Sequence, residues 1–141
     1  MSDKLSMHEW PLGFEPEPLE FTITPELNQQ YLFAMEDFHP RYQGDDGIVH
    51  PGVLLNMSNT TRSPSYYLIP ELGSLHSRDE TRFYHPARVN RKLTSSWKLA
   101  EIYEKRGRTY HVKDARVHDE DGTLILTRML YSTFSRKLDE L

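Results

Sequence analysis

The stretch Tyr31–Thr61, YLFAMEDFHPRYQGDDGIVHPGVLLNMSNTT, decides how the rest of the chain is read. It leaves an apolar helical segment, passes a polar cluster of Asp37, His39, Arg41 and Tyr42, turns through Gln43–Gly47, and opens a short helix at His50-Pro51-Gly52. Upstream, Thr24-Pro25-Glu26 supplies a hydroxyl cap, a proline at the first helical position and an acid in the first turn. The helix that follows carries Leu27, Tyr31, Ala34 and Met35 on one face. It ends near Asp37–His39, because Pro40 disfavours helical geometry at the residue before it. The second helix, read over Gly52–Thr61, offers Val53, Leu54 and Met57 for burial. Its asparagines, serines and threonines are weak helix formers, so only tertiary packing can hold so short a segment. A sheet wrapped around it would do so.

The rest of the chain fits that picture. Leu19–Ile23 alternates apolar and polar residues, a short strand signal. Beyond Gly73, strand-like runs cover 74–84, 93–104, 108–118 and 123–134. Glu104-Lys105-Arg106-Gly107 and Asp119-Glu120-Asp121-Gly122 are tight turns, and His85–Asn90 is a looser break. Long strands joined by hairpins form an antiparallel meander, and helices segregated from strands indicate an α+β fold. Residues 1–18, with Pro11, Pro16 and Pro18, read as an extended arm that lies on another surface, and residues 19–141 as the domain.

Composition narrows the function classes. The chain has 141 residues, 37% hydrophobic and 27% charged, enough for one core. A net charge of −4 argues against a nucleic-acid binder. There is no cysteine, hence no disulfide, thiolate metal site or cysteine nucleophile. His111 and His118 fall on opposite faces of a strand, and no metal constellation is visible. No apolar run is long enough for a membrane span and the first residues lack the apolar core of a signal peptide, so a cytoplasmic location is expected.

Three segments resemble the MaoC-like acyl dehydratase and (R)-specific enoyl-CoA hydratase family. Ala34-Met35-Glu36-Asp37-Phe38-His39-Pro40 is similar to its hydratase motif. Gly47-Ile48-Val49-His50-Pro51-Gly52-Val53-Leu54-Leu55 is similar to the opening of its central helix. Phe83-Tyr84-His85-Pro86-Ala87-Arg88 and Glu120-Asp121-Gly122 resemble a strand end and a hairpin of the family. The resemblance spans about 19–136 and implies a hot-dog fold, a curved antiparallel sheet around a central helix. It also implies edge-to-edge pairing, as a homodimer or with a second hot-dog subunit, and an acyl-thioester site at the junction. The substrate would be an acyl-CoA or acyl-carrier thioester, with no cofactor. Tyr42 occupies the position where active hydratases of the family carry histidine.

Hydration of an enoyl thioester needs an activated water, a proton for the α-carbon and a donor for the enolate oxygen. Asp37 is the candidate carboxylate, with His39 or Tyr42 assisting. Gly52 opens a helix whose free N–H groups suit an oxyanion, with His50 beside it as a capping residue or substrate contact. The plainer alternative is that Asp37 closes a helix while His39 and Tyr42 line a polar loop. Two other functions stay open: a non-catalytic subunit that pairs with an active partner, and a thioesterase. Arg78, Arg82, Arg88, Arg91 and Lys92 would either meet coenzyme A phosphates or form a solvated sheet face.

Overall fold

The computed structural model describes residues 4–141. Strand β1 is Leu19–Thr22, followed by helix α1, Pro25–Met35, and helix α2, Pro51–Met57. Strands β2 (Ser74–Phe83), β3 (Lys92–Lys105), β4 (Arg108–Asp119) and β5 (Leu124–Phe134) complete it, with 3-10 turns at Met7–Glu9, Pro40–Tyr42, Thr60–Arg62 and Leu138–Glu140. The strands form one sheet of order β1-β3-β4-β5-β2, every neighbour antiparallel.

The hairpins have local causes. Lys105 pairs with Arg108, leaving Arg106 and Gly107 in the loop at φ of 52° and 76°. Two positive φ values in succession match the right-handed twist of the flanking strands. At the next turn Asp119 Oδ1 accepts the N–H groups of Asp121 and Thr123, each at 2.9 Å, and Gly122 supplies a φ of 81°.

One face of the sheet encloses α2. Val53 and Leu54 pack against Leu93, Val117, Ile125 and Leu126. A short helix leaves its last carbonyls without partners, and here the sheet supplies donors. Ser95 Oγ donates to Met57 O at 3.0 Å, Trp97 Nε1 to Ser58 O at 2.8 Å, and Arg128 Nη1 to Leu55 O at 2.5 Å. The helix therefore ends at Met57 rather than running to Thr61. Asn59 then caps the next turn through Thr61 N–H.

Helix α1 departs from its expected orientation. Its buried residues are Asn28 and Leu32, whereas Leu27 and Met35 are exposed. Thr24 Oγ1 accepts Leu27 N–H at 3.1 Å, as the cap signal requires. The C-terminus is set by Glu36 at φ 54°, which stops the helix just short of Asp37.

The N-terminal segment lies on its own domain. Met7 and Trp10 are buried with Leu72, Leu99 and Phe134, so core residues fall on both sides of the expected boundary at residue 18. Gly13 N–H donates to Leu99 O, and Leu99 N–H to Phe14 O, each at 2.8 Å. These bonds sit at the bulge that shifts the β3–β4 register between Leu99 and Glu101. Met7 N–H donates to Tyr67 O, and Ser63 Oγ to Glu17 O, tying the arm to the long connection before β2.

Several of the clustered cations pair with acids. Arg78 pairs with Glu80, Arg91 with Glu120 at 3.1 Å and Lys92 with Glu20 at 3.9 Å. Among the described residues no helix is long and apolar enough to cross a membrane.

Candidate active site at the α1–α2 junction

The site is built on a buried asparagine. Asn28 Nδ2 donates to Tyr42 O and Ile48 O, and its Oδ1 accepts His50 N–H, all at 3.0 Å. One side chain thus satisfies three backbone groups in the middle and at the far end of the loop between α1 and α2, which would otherwise be buried as orphans. Ile48 is held further by a bridge to Arg88.

With the loop fixed, His50 Nε2 lies 3.2 Å from Asp37 Oδ2. Its Nδ1 accepts Gly52 N–H at 3.0 Å, so the imidazole caps α2 while it meets the carboxylate. That second bond sets the tautomer. Nδ1 presents a lone pair, so Nε2 carries the proton and donates it to Asp37. The rings of Tyr31 and Tyr42 flank the imidazole at centroid distances of 5.2 and 5.0 Å. Gly52 is required there because a Cβ would stand 2.7 Å from Tyr31 Cζ.

The two partners differ in access. The His50 side chain is 15% exposed and that of Asp37 37%. Asp37 Oδ1 accepts His39 N–H at 3.3 Å. The carboxylate is therefore the group that meets solvent, with the imidazole behind it. Tyr42 lines a cleft of about 300 Å³ with Leu54, Phe83 and Pro86, and Tyr31 lines one of about 440 Å³ with Leu27, Val53 and Met57.

The structure brings together Asp37, His50, Gly52 and Tyr42 from the sequence-derived set. His39 contributes its backbone N–H to Asp37, but its ring engages Arg41, whose Nε donates to His39 Nδ1 at 3.1 Å. Gly52 N–H is occupied by His50. Sequence reasoning gave Asp37 a partner close in the chain, whereas its imidazole comes from thirteen residues further on. It missed Asn28 and Tyr31. The available signal was a polar residue one turn before Leu32, on the face that α1 buries. Among the described residues no group of acids and histidines is arranged to hold a metal ion.

No family model matches the sequence, and no curated protein matches it. Solved structures do. A MaoC-like dehydratase from Rhodospirillum rubrum superposes with a TM-score of 0.75 at 10% identity, covering 95% of this chain and 99% of the other. The (R)-hydratase of A. caviae involved in PHA biosynthesis gives 0.68 at 14% identity, covering 88% and 96%. The HadBC complex of Mycobacterium tuberculosis, a (3R)-hydroxyacyl-ACP dehydratase, gives 0.67 at 14% identity, also covering 88% and 96%. The chain has the hot-dog fold, with the same course over most of its length as these three structures. At these identities the likeness concerns the fold, and function must be argued from the site.

Proposed function

We propose that the chain is an acyl-thioester hydro-lyase of the enoyl-CoA hydratase or 3-hydroxyacyl dehydratase type. The observation that carries this reading is the Asp37–His50 pair, a solvent-reaching carboxylate oriented by an imidazole of fixed tautomer. In the hydration direction Asp37 takes a proton from water while the hydroxide oxygen bonds to C3. The C2–C3 π electrons move toward the thioester carbonyl, and the proton then passes to C2, for net addition of one water. His50 stabilises and orients the carboxylate through its Nε2–H. Tyr42, whose ring lies beside His50, orients the water in this reading. No cofactor takes part; the substrate is an acyl-CoA or acyl-carrier thioester. The working assembly is a homodimer, or a heteromer with a second hot-dog subunit, in the cytoplasm.

A second reading is a substrate-binding subunit that needs an active hot-dog partner. Tyr42, at the position where the resemblance calls for histidine, favours it.

The test is a hydration assay of short and medium enoyl-CoA thioesters with the purified chain, following product chirality and free CoA together. Turnover that disappears in Asp37→Asn with the melting temperature kept supports the hydro-lyase. Thioester binding without turnover supports the paired subunit, and free CoA without hydration indicates a thioesterase.

A further inference from the structure

A second polar centre lies away from the Asp37–His50 pair, between β2, β4, β5 and the turn after α2. Two cations are buried on this part of the sheet, and the fold treats them differently. Arg128 is fully matched: Nε donates to Asp79 Oδ2 at 2.8 Å, and Nη1 to Leu55 O at 2.5 Å and Ser58 Oγ at 3.0 Å. Lys113 is 3% exposed, and its ammonium donates to Ser132 Oγ. Among the described residues no carboxylate forms an ion pair with it. It lines a cavity of about 150 Å³ together with Thr60, Ser132, Tyr66 and His76, and no acid is among the lining residues. Thr60, 3% exposed, lines the same cavity, and its Oγ1 has no hydrogen-bond partner among the described residues.

An uncompensated buried ammonium and an unused hydroxyl at one cavity are costly unless something completes them. We infer that this cavity is a binding site for a carboxylate, held by Lys113 with Ser132 and Thr60 as hydroxyl partners. One negative charge balances one ammonium, and two oxygens match the lysine and hydroxyl donors. A phosphate dianion would call for a further fixed cation, and His76 is already 3.4 Å from Asp79. Access is across exposed Ser74 and His76 on the outer strand β2. The carboxylate belongs either to a free short acid or to the far end of an acyl thioester. This inference does not rest on the hydro-lyase reading, since binding requires no turnover.

The experiment is calorimetric titration of the full chain with acetate, succinate and inorganic phosphate. A parallel arm compares succinyl-CoA with butyryl-CoA. Lys113→Met and Thr60→Val are the variants, with Lys98→Gln, an exposed β3 position outside both centres, as a control that keeps wild-type affinity. The expected result is saturable carboxylate binding that weakens at least tenfold in Lys113→Met and severalfold in Thr60→Val, with phosphate weaker. If succinate carries the effect, the source is a free acid. Preference for succinyl-CoA over butyryl-CoA, lost in Lys113→Met, assigns it to the end of a thioester. Absence of carboxylate binding in both arms, or equal binding by Lys113→Met, overturns the inference. Lys113→Met removes a buried charge, so the folded variant is available for titration.

Discussion

Asp37 and His50 meet at 3.2 Å although the loop between them carries two other polar ring side chains, His39 and Tyr42, nearer to Asp37 in sequence. The pairing arises because His50 is fixed twice over. Its backbone N–H is bound by Asn28, and its Nδ1 is bound by Gly52 N–H. An imidazole so held can direct only Nε2 outward, toward the carboxylate.

Replacing His50 by Gln should lower turnover by roughly 10–100-fold, the worth of one hydrogen bond that holds a charged carboxylate in place. His50→Ala should also cost about 1 kcal/mol of stability, because the cap of α2 is lost. Steady-state kinetics and urea unfolding of both variants separate the two effects. His39→Ala should leave kcat within about threefold of the wild type, since its ring faces Arg41 rather than Asp37.

Asn28→Ala should destabilise the chain by about 2–4 kcal/mol. It leaves two carbonyls and one N–H without a protein partner. Because the same bonds position Tyr42 and His50, kcat should fall more than KM rises. Chemical denaturation with parallel kinetics checks this.

Trp10→Ala should cost about 3–5 kcal/mol, as for an aromatic removed from a packed core. Trp10 is 2% exposed against Leu72, Leu99 and Phe134, and its indole N–H donates to Leu5 O at 3.1 Å. An arm that only met a partner subunit would show instead a concentration-dependent melting temperature and little change in monomer stability.

Stability should depend on pH in two windows. Burial lowers Lys113 from its ordinary 10.5 to about 8. Between those values the unfolded chain holds a proton that the folded chain has released, so stability rises with pH, by about 3 kcal/mol in all. Burial, aided by the charges of Lys113 and His8, lowers His111 from 6.5 to about 4. Stability therefore falls as pH drops from 6.5 toward 4, because the unfolded chain takes up a proton first. Lys113→Met should abolish the alkaline rise. Denaturation midpoints from pH 4 to 10.5 test both limbs.

Much of the fold could be read directly. The runs 74–84, 93–104, 108–118 and 123–134 differ from β2 to β5 by a residue at most of their ends, because turn residues and long alternating segments are local signals. The Thr24 cap and Pro25 start of α1 were legible for the same reason. The face that α1 buries was not. Leu27, Ala34 and Met35 form an apolar pattern, yet Asn28 and Leu32 turn inward because the loop to α2 needs an amide at that point.

The sequence by itself determined the order of elements, the hairpins, the absence of cysteine chemistry and the candidacy of Asp37, all of which depend on residues near one another in the chain. Only the tertiary structure decided which imidazole faces that carboxylate, that Gly52 N–H is taken by His50, that Met7 and Trp10 belong to the core, and that Lys113 is buried at a cavity without an acid lining it. Each of these depends on the approach of side chains from separate elements. Spacing along the chain carries no record of that approach, because a buried polar group is satisfied by whatever donor or acceptor the packed fold brings within hydrogen-bonding distance.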